Sequence, residues 1–325
     1  MKYYVGVDLG VEKTVAGLVD KYGKLVHRVN RPTQKDQPFE AIMKDVYDLI
    51  LELLDEEGID MRSIKHIGVA TPGVPNKAHG TILRNYSMNF VNAPVRDELM
   101  KYVNLPVYVE NDANCAALAE SVSGAAEDID FSITLKIGHG LGGGIVSKGQ
   151  IYSGFNGAAS EMGHITIVKD GEQCICGRKG CWQMYSSASA FVSQIQYAAR
   201  QNPESLINKL VDYDLTKVTE FTAFEAAKGL DPTAMAVCNK YIDYLADGLT
   251  NIINILMPEV VVISGEIRKV GEPLFKPLRA AVRERVYSRE IQLPEIKVSE
   301  LGSAAVVIGA ALTGLNRDIF QKMLY

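Results

Sequence analysis

Two strand–glycine turn–strand units constrain the fold of this chain more than any other feature of its sequence. YYVGVDLG runs as a short apolar strand, turns at Gly10 and returns through TVAGLVD to a second turn at KYG, with a further strand at KLVHRV. VAGLVDKYGKL at 15–25 is echoed by GGGIVSKGQI at 142–151, and each follows a strand and a glycine turn, VDLG and LKIG. One such unit opening each half predicts two similarly built domains. Glycine-rich hairpins look alike, however, so two unrelated hairpins would leave the same trace. A length of 325 residues independently favours two domains over one.

Helices alternate with these strands. FEAIMKDVYDLILELLDEEG carries apolar residues at helical spacing and ends in glycine. IKHIGVATPG, LPVYVEND and EVVVISG are short apolar runs that end in polar or turn residues. TAMAVCNKYIDYLADGLTNIINILM reads as a long buried helix, and SAAVVIGAALTGLNR as a helix of small residues suited to close packing. Strand and helix in alternation predict an α/β architecture.

Composition narrows the function. A net charge of −5 implies no strongly basic face, so nucleic acid is not expected as a partner. The start, MKYYVGVDLG, lacks the features of a signal peptide, and no apolar run reaches the length of a membrane span. Five cysteines in so long a chain do not read as a disulfide framework. A cytoplasmic protein without membrane partners is expected.

Three of those cysteines fall in GHITIVKDGEQCICGRKGCW, residues 163–182, together with the only tryptophan. His164, Cys174, Cys176 and Cys181 follow the spacing H-x9-C-x-C-x4-C, and glycines at 177 and 180 let the backbone fold tightly. One nitrogen and three sulfur ligands suit a tetrahedral structural Zn²⁺. Unconnected cysteines in a loop are the alternative, whereas a Cys174–Cys176 disulfide would be strained. Cys115 and Cys238 lie in apolar helical stretches and read as core residues. GHGLGG satisfies G-x-G-x-x-G, but IVSKGQIY after it reads as strand, turn and strand rather than the helix a dinucleotide fold requires.

VENDANCAALAE at 109–120, GLGGGIVSKGQIYSGFNGAASEMGH at 140–164 and CICGRKGCW at 174–182 resemble the ROK family, named for repressors, open reading frames and sugar kinases. The resemblance covers nearly the whole chain. It implies an actin-like, hexokinase-like (ribonuclease H-like) α/β fold of two domains around a central cleft: a smaller domain of residues 1–121 plus 309–325, and a larger one of 122–308 carrying the zinc motif. It also implies a homodimer, and phosphorylation of a hexose at its 6-hydroxyl by ATP and Mg²⁺. ROK repressors carry a winged helix-turn-helix ahead of this core. Here the core begins by about residue 3, so the sequence resembles the kinase branch.

Sugar phosphorylation needs a base beside the attacking hydroxyl and dipolar or positive groups around the phosphoryl. By resemblance Asp112, which follows the strand PVYVE, is that base, and Asn111 a sugar ligand. A residue at such a strand end stands where α/β folds bind ligands, although an aspartate there could equally serve as a helix N-cap. Glu161 and His164 match residues that hydrogen-bond sugar hydroxyls, so His164 would serve sugar and zinc with its two ring nitrogens. Asn85 falls near a further sugar-contacting asparagine, and TPG at 71–73 shapes the substrate loop or is a plain turn. The turns DLGVEK and IGHGLG would embrace the phosphates through Gly10, Lys13, Gly138 and Gly140, with Asp8 near Mg²⁺ and Gly265 at the adenosine side.

The chain departs from the family pattern mostly on the nucleotide side. DLGVEK stands for D-[IL]-G-G-T-K and puts Glu12 where a threonine would face phosphate. His139 replaces the threonine of G-T-G, and Glu266 the second glycine of I-x-G-G. On the sugar side Gln183 stands where a glutamate is common. These departures define the alternative: a sugar-binding sensor that has lost ATP.

Overall fold

The computed structural model describes residues 2–323, with side chains through Leu315. Residues 324–325, the end of the segment assigned above to the first domain, lie outside the described residues. The chain divides into two compact units, one of Met1–Thr134, Gly143–Ser160 and Ser299–Tyr325, the other of Leu135–Gly142 and Glu161–Val298.

In chain order the strands up to residue 111 are β1 (Tyr3–Leu9), β2 (Lys13–Val19), β3 (Leu25–Pro32), β4 (Ile64–Thr71), β5 (Val74–Asn76), β6 (Thr81–Asn85), β7 (Phe90–Ala93) and β8 (Val107–Asn111). They form a five-stranded sheet of order β3-β2-β1-β4-β8 and a small antiparallel sheet of order β5-β6-β7. β1, β2 and β3 are the expected antiparallel meander, while β4 and β8 continue parallel to β1. The remaining strands are β9 (Phe131–Ile137), β10 (Leu141–Ser147), β11 (Gln150–Ile151), β12 (Val260–Ser264) and β13 (Glu295–Val298). Their order, β11-β10-β9-β12-β13, repeats the first sheet: a meander at one edge and, at the other, a parallel pair, β12 and β13. The echo between residues 15–25 and 142–151 is therefore a repeat of structure. β10 begins at Leu141, inside GHGLGG, so a strand and not a helix leaves the turn, which removes the dinucleotide reading.

The first sheet is covered on both faces, as parallel strands require. Helix Phe39–Glu56 lays Ile42, Met43, Val46, Leu49, Ile50 and Leu53 on one face, against Val5, Val7 and Val69. On the other lie helices Asp112–Ser123 and Ala305–Met323, and small residues bring them close, as the sequence predicts. A methyl group added at Gly309 would come 1.7 Å from the Cys115 carbonyl oxygen, so the two helix backbones touch there without intervening side chains.

In the second unit the long helix Pro232–Leu256 is capped by Asp231, whose carboxylate accepts from Ala234 N at 2.7 Å. It carries Gly248 in its interior, a position where glycine costs about 1 kcal/mol relative to alanine. Trp182 explains the exception. A methyl at Gly248 would stand 2.0 Å from the indole, which is fully buried and donates from Nε1 to the Tyr244 carbonyl at 2.9 Å. Trp182→Ala removes that anchor and is expected to cost about 3–5 kcal/mol in denaturant unfolding.

Candidate active site and metal centre

The carboxyl ends of β1, β4 and β8 lie side by side: Asp8 is level with Ala70, and Thr71 with Asn111. The chain leaves β8 directly into helix Asp112–Ser123, and Asn111, not Asp112, is the N-cap. The Asn111 side-chain oxygen accepts from Ala113 N at 2.9 Å and from Asn114 N at 3.2 Å, while its amide donates to the Gly73 carbonyl at 3.0 Å. Asp112 is thereby the first helical residue, half-buried, with Oδ1 accepting from Ala113 N at 2.9 Å. A carboxylate here stands at the positive end of the helix dipole.

Asn85 is buried at the end of β6. Its side-chain oxygen accepts from Ser87 N and Met88 N, and its amide faces the Thr71 hydroxyl at 3.5 Å. TPG is more than a plain turn. Gly73 has φ +99°, and a methyl on it would meet the Arg84 carbonyl oxygen at 2.2 Å, so the loop lies flat on β6.

Glu110 and Lys77 escape a reading by motif. Glu110 is buried at the end of β8, accepting through Oε1 from Asn111 N at 2.9 Å and Asn114 Nδ2 at 3.0 Å, while Oε2 pairs with Lys77. Lys77 also donates to Ser153 Oγ at 3.0 Å. The pair thus fixes the backbone from which Asn111 and Asp112 project. The available signal was a glutamate inside an apolar strand, a residue almost never buried unless paired. Lys77→Met leaves that carboxylate without its cation and is expected to cost about 3 kcal/mol; adding Glu110→Gln should recover much of the loss in a double-mutant cycle.

Cys115, below this edge, is fully buried, and burial pushes its thiol well above the ordinary range, with the Glu110 and Asp112 charges adding to the effect. Burial likewise pushes Cys238 up to about 12. Both are core residues, as expected.

At the β1–β2 turn the Gly10 carbonyl accepts from Thr33 Oγ1 at 2.8 Å, and Thr33 N donates to the Glu12 carbonyl at 3.0 Å. Glu12 and Lys13 are exposed. In the β9–β10 turn His139 and Gly140 are exposed, and Gly138 N donates to the Gly140 carbonyl at 2.9 Å. A methyl added to Gly138 would meet nothing within 4 Å, so open space rather than protein lies beside it, as a phosphate cradle needs. Gly265 has φ +109°, and a methyl there would meet the Ile137 carbonyl oxygen at 1.9 Å, so its glycine is demanded by the backbone beneath β9. Glu266 follows it and pairs with Lys269 one turn on, which partly neutralises the charge that departs from the family pattern.

His164, Cys174, Cys176 and Cys181 come together with all four ligand atoms within 4.8 Å of one another. Tetrahedral zinc with Zn–S of about 2.3 Å and Zn–N of about 2.0–2.1 Å implies S···S edges of about 3.8 Å and S···N edges of about 3.6 Å. Cys176 and Cys181 sulfurs lie 3.6 Å apart, and Cys174 Sγ lies 3.6 Å from His164 Nδ1. The donor set fits zinc, with Nδ1 as the histidine ligand atom. Burial, aided by the Arg178 charge, lowers the His164 pKa, which favours the neutral imidazole a metal needs. Burial and the neighbouring thiols push Cys181 up to about 12. Burial also opposes ionisation of Cys176, but the Arg178 backbone N–H and the adjacent thiols outweigh it and lower its pKa.

The knot is tied by Cys174 N donating to the Arg178 carbonyl at 2.8 Å, and by Gly180, where a methyl would fall 1.7 Å from the Val168 carbonyl oxygen. Glu161 is exposed at the head of the short turn Met162–His164, and its carbonyl accepts from His164 N at 3.0 Å. Gln183, expected among the sugar ligands, donates from Nε2 to Cys174 Sγ at 3.2 Å.

The sequence model of the ROK family matches residues 4–316. A glucokinase of Thermotoga maritima is 33% identical over 94% of this chain and 95% of its own length. A xylose repressor of Bacillus subtilis is 29% identical over 99% of this chain and 79% of its own. Among solved structures, a ROK family glucokinase from Streptomyces griseus, in complex with glucose and AMPPNP, superposes with a TM-score of 0.85 at 30% identity, covering 95% of this chain and 98% of the other. The duplicated sheets described above match that glucokinase fold, which is actin-like and hexokinase-like. Among the described residues no helix is long and apolar enough to cross a membrane.

Proposed function

Because the chain belongs to the ROK family, we propose that it is a hexose kinase, transferring the γ-phosphoryl group of ATP to the 6-hydroxyl of a glucose-like sugar in the cytoplasm. The observation that carries this reading is the placement of Asp112: a half-buried carboxylate on the first residue of a helix, on a backbone clamped by Asn111 and the Glu110–Lys77 pair. A general base must be held rigidly beside the proton it takes, and the clamped backbone around Asp112 supports that role. Asp112 would accept the proton of the attacking hydroxyl, with Asn85 and Asn111 shaping the sugar side of the β4 and β8 ends. Glu161 and the Nε2 edge of His164 would hydrogen-bond sugar hydroxyls, the ring orientation being set through Nδ1.

The β1–β2 turn, with Gly10 and Lys13, and the β9–β10 turn, with Gly138 and Gly140, would receive the nucleotide phosphates, with Gly265 at the adenosine side. Asp8 would hold Mg²⁺, which when bound neutralises charge on the transferring phosphoryl group. The glucokinase relatives and the AMPPNP-bound neighbour support this reading. The purified, zinc-loaded protein is expected to transfer phosphate from ATP–Mg²⁺ to at least one member of a panel of hexoses and amino sugars. No transfer to any of them would remove the proposal.

A second reading, a sugar sensor without ATP, is favoured by one observation: Glu12 is exposed on the turn that should receive phosphate. The xylose repressors among the relatives keep it open. Calorimetry separates the two, since the sensor binds sugar without measurable ATP–Mg²⁺ affinity.

A further inference from the structure

We infer that Gln183 is a positioning residue that ties the metal-ligand cluster to the Gly138–Gly140 turn, so that the metal state of the knot sets the geometry of that turn. Its consequence for nucleotide affinity rests on the kinase reading above; the link itself does not.

Gln183 is the second residue after the last ligand, Cys181, and opens the short helix Gln183–Ser186. Its two polar ends face different elements. Nε2 donates to Cys174 Sγ at 3.2 Å. Oε1 lies beside the turn, 3.3 Å from where a methyl on Gly140 would stand. A glutamate of the same reach could not make the first contact, because a carboxylate has no proton to donate to the sulfur.

Three further contacts converge on the same turn. Ala188 N donates to the Gly138 carbonyl at 2.9 Å, and Ser189 Oγ donates to the His139 carbonyl at 2.5 Å. Gly163, immediately before His164, backs directly on the residue that ends the turn, since a methyl there would meet the Leu141 carbonyl oxygen at 1.9 Å. The turn is thus gripped by the two segments that flank the metal ligands, 163–164 and 183–189. Between them Trp182 is fully buried and hydrogen-bonded to the Tyr244 carbonyl. A shift of the Cys174 sulfur would thus reach the turn through the Gln183 side chain that stands between them. Ligation fixes where the Cys174 sulfur stands, and without it the sulfur is free to leave the position from which it accepts the Gln183 N–H.

The test uses the zinc-loaded chain, the chelator-stripped chain, and zinc-loaded Gln183→Ala and Gln183→Glu with zinc content checked by elemental analysis. Hydrogen exchange at the Gly138 and Ala188 amides is expected to quicken about tenfold, the loss of roughly one hydrogen bond, in the stripped protein and in both variants, with the melting temperature of the variants little changed. The glutamate variant should behave like the alanine one, because the lost group is the N–H. Exchange at these amides that stays at the wild-type rate in the zinc-replete variants overturns the inference, whatever the stripped protein does. Calorimetry with AMPPNP–Mg²⁺ on the same samples reads the consequence, with affinity expected to fall in parallel. Faster exchange with no nucleotide binding in any sample, wild type included, supports the link and overturns the kinase reading instead.

Discussion

Asp112→Asn is expected to lower kcat by about 10²–10⁴-fold, the usual contribution of a general base, while KM for the sugar changes little. The size of the effect follows from what the substitution leaves in place. Asparagine keeps an oxygen able to accept from Ala113 N, as Oδ1 does now at 2.9 Å, and the helix remains capped by Asn111. What is lost is the charge that takes a proton, together with about 0.3–1 kcal/mol of interaction with the helix N-terminus. Steady-state kinetics beside a thermal melt separate the two contributions. A variant that keeps its melting temperature and turns over within a few-fold of the wild type would show that Asp112 is not the base. Asn111→Ala should behave oppositely, because it removes the cap and the bond to Gly73: about 1 kcal/mol of stability, with KM and kcat both disturbed.

Cys176→Ser is expected to bring zinc, measured by elemental analysis, from about one equivalent to a small fraction of that, and to lower the melting temperature more than any surface substitution. The reason is that the loop from Gln173 to Gly180, though tied by backbone bonds, buries only Cys174 and Gly180, while Ile175 and Gly177 face solvent. Ligation therefore has to supply much of its folding energy; structural zinc in small motifs contributes about 10–16 kcal/mol of apparent binding energy at neutral pH. The same variant should weaken sugar binding, because His164 loses the metal that fixes which ring nitrogen faces outward. A serine variant with unchanged zinc stoichiometry would break the proposed ligand set.

Local chemistry carries most of what could be read without a structure. The β1–β2 meander and the helix of small residues after Ser299 each depend on spacing within a short stretch and stand where the pattern puts them, and His164, Cys174, Cys176 and Cys181 fall into one cluster. The N-cap was displaced by one residue. Asn and Asp cap equally well, so adjacent Asn111 and Asp112 could not be told apart until the backbone showed which side chain turned back onto the helix. Gln183 was likewise ambiguous, since its number of donors and acceptors is known from its name but their partners are not.

What the amino-acid order determined alone is the type of the elements with clear periodicity, such as the β1–β2 hairpin and helix Phe39–Glu56, and a one-histidine, three-cysteine donor set able to hold a metal, because these follow from periodicity and side-chain chemistry over a few residues. Tertiary structure alone decided the equivalence of the two sheets in strand order, the burial of Glu110 against Lys77, and the reach of Gln183 from Cys174 to the Gly138–Gly140 turn. The last two bring together residues about 30 to 45 positions apart, Lys77 with Glu110 and Gln183 with the turn. Such meetings are set by how helices and strands pack against a shared core, and no local pattern records them.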